Sequence, residues 1–70
     1  MSEVAVTLNG EPTTVGAGIT IRELLDGLAV DPRRVVVEHN RRILRGTEID
    51  GATVAAGDEI EVLRLVGGGA

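Results

Sequence analysis

The chain reads Leu63-Arg64-Leu65-Val66-Gly67-Gly68-Gly69-Ala70 over its last residues, and the three glycines are the positions best suited to chemistry. They bring no side chain and lose the most conformational freedom on ordering, so they cannot belong to a core. Backbone without Cβ atoms can thread a narrow channel and present a carboxylate deep inside another protein. Fully extended, residues 67–69 reach about 10 Å. A glycine run alone is equally the mark of a frayed terminus or a cloning remnant, so both uses stay open on this stretch alone.

Elsewhere no constellation of catalytic residues stands out. The chain has no cysteine, which excludes disulfides, thiolate metal sites and cysteine nucleophiles. His39, the single histidine, sits between Glu38 and Asn40 at a strand end. A general base needs a positioned partner, so His39 reads as solvated or structural. Gly16-Ala17-Gly18 is too short for a phosphate loop, and no Gly-Lys-Ser/Thr follows it. Asp58, Glu59 and Glu61 lack the ligand spacing of a calcium loop, so neither a metal nor a bound cofactor is expected. Arg33, Arg34, Arg41, Arg42 and Arg45 read as solvated surface, with docking against an acidic enzyme as the alternative. The expectation is a protein substrate rather than an enzyme.

The elements that must position these residues fit one small domain. Seventy residues lie near the lower limit for a core without cross-links. No aromatic residue is present, so Val, Leu and Ile must build that core. The net charge is −4 and every basic residue is arginine. An acidic chain without stacking rings is poorly suited to nucleic acid. No apolar run approaches the roughly 20 residues of a membrane span, and no signal-peptide pattern opens the chain. A cytoplasmic protein, monomeric by itself, is expected.

Val4, Val6 and Leu8 alternate as a half-buried strand requires. Asn9-Gly10 predicts a type I′ hairpin turn, and Glu11 to Val15 return antiparallel with Pro12 near the strand start or on an edge. Thr20 and Glu23 form a capping box, with Ile19 and Leu24 as its hydrophobic staple. Ile21, Leu24, Leu25 and Leu28 then make one apolar helical stripe, unless Gly27 ends the helix early. Residues 35–40 read as a third strand, Arg41-Arg42 as a turn, and Ile43-Leu44 as a short strand. Residues 46–53 read as loop, with Ile49 anchored in the core, and residues 59–66 as the last strand. The first and last strands are apolar enough to be central, and if they pair they run parallel. The predicted architecture is α+β: a β-grasp, with one main helix on one face of a four- to five-stranded mixed sheet.

On the last strand Ile60, Val62 and Val66 share one face, and Glu59, Glu61, Leu63 and Leu65 share the other. With helix on one side only, Leu63 and Leu65 either lie under a loop or form an apolar patch rimmed by Glu59 and Glu61. Such a patch suits a docking partner. Residues 1–66 would then be the domain and 67–70 its glycine-rich tail.

Taken together, "LNGEP" at 8–12, "TIRELL" at 20–25, "DPRRVVVEHN" at 31–40, "RRIL" at 41–44, "AAGDEIEVL" at 55–63 and "VGGG" at 66–69 resemble the ThiS family of sulfur carrier proteins. That family falls within the ubiquitin-like β-grasp superfamily, and the resemblance covers essentially the whole chain. It implies that a ThiF-like, E1-type enzyme adenylates the carboxylate of the terminal glycine with ATP. Sulfur relayed from a cysteine desulfurase then yields a thiocarboxylate, which a ThiG-like thiazole synthase uses for the thiazole ring of thiamine. The glycine concerned maps onto Gly69, with Gly67 and Gly68 as its lead; the docking face expected from the strand pattern is Glu59, Glu61, Leu63, Leu65 and Val66. The family usually carries aromatics where Ile49 and Leu65 stand here, and it ends at glycine where Ala70 follows here. With Ala70 attached, the Gly69 carbonyl is held in a peptide bond. Either a peptidase removes Ala70, or it is an expression remnant or natural variant that blocks the chemistry. Readings still open are a molybdopterin-synthase small subunit, a carrier for cysteine synthesis, and a β-grasp interaction module without carrier chemistry.

Overall fold

The alternation of Val4, Val6 and Leu8 becomes strand β1 (Glu3–Leu8) in the computed structural model, which describes residues 2–65. The Asn9-Gly10 turn has φ of 50° and 84°, the positive pair of a type I′ turn, and returns the chain as β2 (Glu11–Gly16). β2 lies at the sheet edge, where Pro12 removes no inner ladder bond.

Helix α1 (Ile21–Gly27) starts at the predicted capping box. The Thr20 hydroxyl accepts from the Glu23 N–H at 3.0 Å, and Glu23 Oε1 accepts from the Thr20 N–H at 2.9 Å. Ile21, Leu24 and Leu25 are buried, but Leu28 is exposed, contrary to its place on the predicted stripe. The early end at Gly27 explains the difference. Ala29 turns left-handed (φ 58°), its N–H bonds the Asp26 carbonyl, and the Val30 N–H bonds the Leu25 carbonyl. This is a Schellman closure with alanine where glycine is usual, and it sends Val30 rather than Leu28 toward the core.

A 3-10 turn (Pro32–Arg34) leads into β3 (Val35–His39), and β4 (Arg42–Leu44) follows. The turn between these strands is Asn40-Arg41, one residue earlier than predicted, with φ of 52° and 70°. Residues 46–53 are not wholly loop: one helical turn, α2 (Glu48–Gly51), carries Ile49 into the core as expected. The last strand, β5 (Glu59–Arg64), ends before Leu65, which the predicted strand includes, and Val66 lies outside the described residues.

The sheet order is β2-β1-β5-β3-β4, with β1 and β5 parallel and the other neighbours antiparallel. The five-stranded mixed sheet with its helix is the predicted α+β β-grasp architecture. Ile21, Leu24 and Leu25 of α1 close over Val6, Val15, Val37, Leu44 and Ile60 of the sheet, with Ile49 and Val54 filling the side. Val54, absent from the predicted core, is held there by its N–H bond to the Ile19 carbonyl. The opposite sheet face carries no layer among the described residues.

Candidate docking face

Every predicted site residue that is described lies on or just beyond β5, so the fastening of this strand comes first. At its start, Asp58 is the buried charged residue. Its Oδ2 lies 2.7 Å from His39 Nε2 and accepts from the Ala55 N–H at 2.8 Å, while Oδ1 accepts from Asn40 Nδ2 at 3.1 Å. An ionised carboxylate only accepts, so His39 Nε2 carries the shared hydrogen. Burial pushes the Asp58 carboxyl up, but the bonds from His39, the Ala55 N–H and Asn40 outweigh it and hold it below the ordinary 3.8. His39 is therefore structural: its partner is a carboxylate that fixes a turn.

Two asparagines continue the clamp. Asn40 Oδ1 accepts from the Glu59 N–H at 2.8 Å, and the Asn40 N–H donates to the Glu59 carbonyl at 2.8 Å. On the other flank the Asn9 N–H donates to the Ile60 carbonyl at 2.9 Å, and Asn9 Oδ1 accepts from the Val62 N–H at 2.8 Å. Each type I′ turn thus begins with an asparagine that tolerates positive φ and hands its side chain to β5. Sequence reading found Asn9-Gly10 as a turn but missed this second use. The role of Asp58 is not legible in the sequence, because nothing local signals a carboxylate that is bonded to a residue 19 positions away.

The uncovered sheet face follows from the register. Leu63 lies opposite Val36, Glu61 opposite Glu38, and Glu38 opposite Ile43. Residues directly opposite share a face, so these five project together. Leu63, Leu65 and Ile43 are 51%, 54% and 45% exposed, so no loop covers them. The predicted patch of Leu63 and Leu65 rimmed by Glu59 and Glu61 is present, and it is larger than predicted. Val36, Ile43 and Glu38 join it, which only the strand pairing could have revealed. Ile60 and Val62 face the core side, as expected.

The five predicted arginines lie at the surface, four of them in ion pairs: Arg33 and Arg34 with Asp31, Arg41 with Glu59, and Arg42 with Glu48, while Arg45 bonds Glu48 through its backbone N–H. No group of three or more metal-ligating side chains occurs among the described residues, and no described helix is long and apolar enough to cross a membrane. Val66, Gly67, Gly68, Gly69 and Ala70 lie outside the described residues, as does the predicted boundary between domain and tail.

A fold and face of this kind have close relatives. The crystal structure of a thiamine biosynthesis protein, ThiS, from Geobacter metallireducens superposes with a TM-score of 0.81 at 40% identity, covering 93% of this chain and 99% of that one. The sulfur carrier protein ThiS of Thermus thermophilus is 36% identical over 64 residues, 91% of this chain and 98% of that protein. A thiazole synthase of Magnetococcus marinus is 38% identical over 64 residues, 91% of this chain. The chain spans about a fifth of the length of the thiazole synthases it matches. The family model described as the ThiS family matches residues 4–69, and the chain belongs to that family.

Proposed function

We propose that the chain is a sulfur carrier for thiamine biosynthesis, with the Gly69 carboxyl group as the site that is loaded. A carboxylate does not react with sulfur nucleophiles until an activating group gives it a leaving group. An E1-like, ThiF-type enzyme joins the Gly69 carboxylate to AMP from ATP and releases pyrophosphate. A persulfide sulfur relayed from a cysteine desulfurase then attacks the acyl carbon and AMP leaves. A thiol reductant cleaves the S–S bond of the resulting acyl disulfide, leaving the thiocarboxylate and a disulfide. Glycine suits the position because no Cβ hinders the approach to its carbonyl. Gly67 and Gly68 supply the reach, and the exposed face of Leu63 and Leu65 docks the partner. The chain contributes no catalytic residue; the catalysis belongs to its partners.

The observation that carries this reading is the family match over residues 4–69, whose last matched residue is Gly69. The likeness to a fifth of two thiazole synthases supports a ThiG-like enzyme as the sulfur acceptor, since a segment of this kind is part of the same polypeptide there. Ala70 holds the Gly69 carbonyl in a peptide bond, so loading requires that bond to be cut first.

The test is to incubate two forms, one ending at Gly69 and one at Ala70, with an E1-like enzyme, ATP and a sulfur donor. Intact mass is then recorded. The form ending at Gly69 should exchange one oxygen for sulfur, and the form ending at Ala70 should stay unchanged. A form ending at Gly69 that never gains sulfur refutes the carrier reading. Loading of the Ala70 form without trimming refutes the assignment to Gly69.

A further inference from the structure

The uncovered sheet face is apolar at one end and acidic at the other. Val36 and Leu63 occupy the apolar end, Glu38, Glu59 and Glu61 the acidic end, and Ile43 flanks the acidic end from β4, directly opposite Glu38. Glu38 and Glu61 are directly opposite across β3 and β5, an arrangement of like charges that costs stability in the free chain. Neither carboxylate has an ion-pair partner among the described residues. Arg41 is the one cation at this end among the described residues, and its Nε stands 3.8 Å from Glu59 Oε1 on an 87% exposed side chain, so it offsets little.

Between these groups lies a hollow of about 280 Å³, lined by Thr7, Gly10, Glu38, Arg41, Glu59 and Glu61 among others. It holds three carboxylates against one guanidinium, and that charge suits the cationic head of a basic side chain.

We propose that this face receives a protein surface of matched polarity: apolar side chains over Val36, Ile43 and Leu63, and an arginine or lysine seated between Glu38 and Glu61. The apolar end contributes most of the affinity, and the acidic end sets orientation and encounter rate. The Glu38–Glu61 repulsion, uncompensated in the free chain, is relieved when the cation arrives. Binding and free-chain stability are therefore coupled with opposite signs at these two positions.

The inference rests on the carrier reading, and its test uses the E1-like adenylating enzyme as the probe. Binding of the wild type, Glu61→Gln, Glu38→Gln and Leu63→Ala is measured at low and high salt, beside the Tm of each free chain. Glu61→Gln and Glu38→Gln should each bind about fivefold to tenfold more weakly at low salt, with the deficit shrinking as salt screens the pairing. The same two variants should melt about 2 °C higher than the wild type, because the like-charge pair is gone. Leu63→Ala should bind more weakly by a factor that salt does not change. If the wild type binds but both Glu→Gln variants bind equally well with the same salt dependence, the seated cation is refuted. If the otherwise unsubstituted form ending at Gly69 fails both to bind and to be loaded with sulfur, the carrier reading fails first and this inference falls with it.

Discussion

β5 begins in one of the most heavily bonded parts of the molecule and ends in one of the barest. At its start, Asp58, His39, Asn40 and Asn9 converge on a stretch of five residues from both flanks. At its end, Leu63 and Leu65 stand half in solvent, and the backbone is tied through β3 and the Leu65 N–H bond to the Arg34 carbonyl. β1 stops at Leu8, opposite Ile60, so it cannot reach that end. The contrast separates two duties along one strand. Stability is concentrated where β5 enters the sheet, and the segment nearest the glycines, whose side chains the fold does not need, is the one we propose for recognition.

The clearest way to break the comparison is Asp58→Ala. It leaves the His39 ring, the Asn40 amide and the Ala55 N–H without their shared acceptor, and should cost about 2–3 kcal/mol in urea unfolding. A cost below about 0.5 kcal/mol would mean that the start of β5 is not fastened there. The same group sets an acid dependence. Because the folded state holds Asp58 below the ordinary 3.8, its contribution is complete above that value and is lost as pH falls through the lower folded value. Stability measured from pH 5 downward should therefore fall more steeply in the wild type than in Asp58→Ala.

Glycine at each asparagine keeps the positive φ and removes only the side-chain bonds. Asn40→Gly, which loses its bonds to Asp58 and Glu59, should cost about 1–2 kcal/mol, and Asn9→Gly, which loses one bond to Val62, about 0.5–1 kcal/mol. The reverse order would place the main clamp on the β1 side. Arg41 holds a φ of 70° that suits glycine, so Arg41→Gly should raise stability by about 0.5 kcal/mol in the same assay. At the bare end, Leu63→Ala should shift stability by less than about 0.5 kcal/mol, since its side chain is half exposed.

The legible parts of this fold were those with local causes. Thr20 and Glu23 announce a helix start because both partners lie within one turn, and Asn9-Gly10 announces a hairpin because both residues accept positive φ. Ile49 could be placed in the core because it is the one large apolar residue in a polar stretch. The helix end was less clear, because a Schellman closure at Ala29 lacks its usual glycine and left Leu28 looking like a fourth core residue. The Asn40-Arg41 turn was displaced by one residue for the same reason, since arginine rarely takes the second I′ position. Glu59 and Glu61 were legible from alternation, but the place of Glu38 beside Glu61 and the Asp58 clamp depend on which residues β3 and β5 bring together. That register is a tertiary property, and no spacing within either strand encodes it.

The central claim is that the bare end of β5 serves a partner rather than the fold. It is tested most directly by pairing Leu63→Ala with Leu65→Ala in the form ending at Gly69. Pyrophosphate release by the adenylating enzyme is then measured beside the melting temperature. The account predicts that kcat/KM falls by about tenfold or more while Tm stays within about 3 °C of the wild type. An unchanged kcat/KM, or a loss matched by a collapse in Tm, would contradict it.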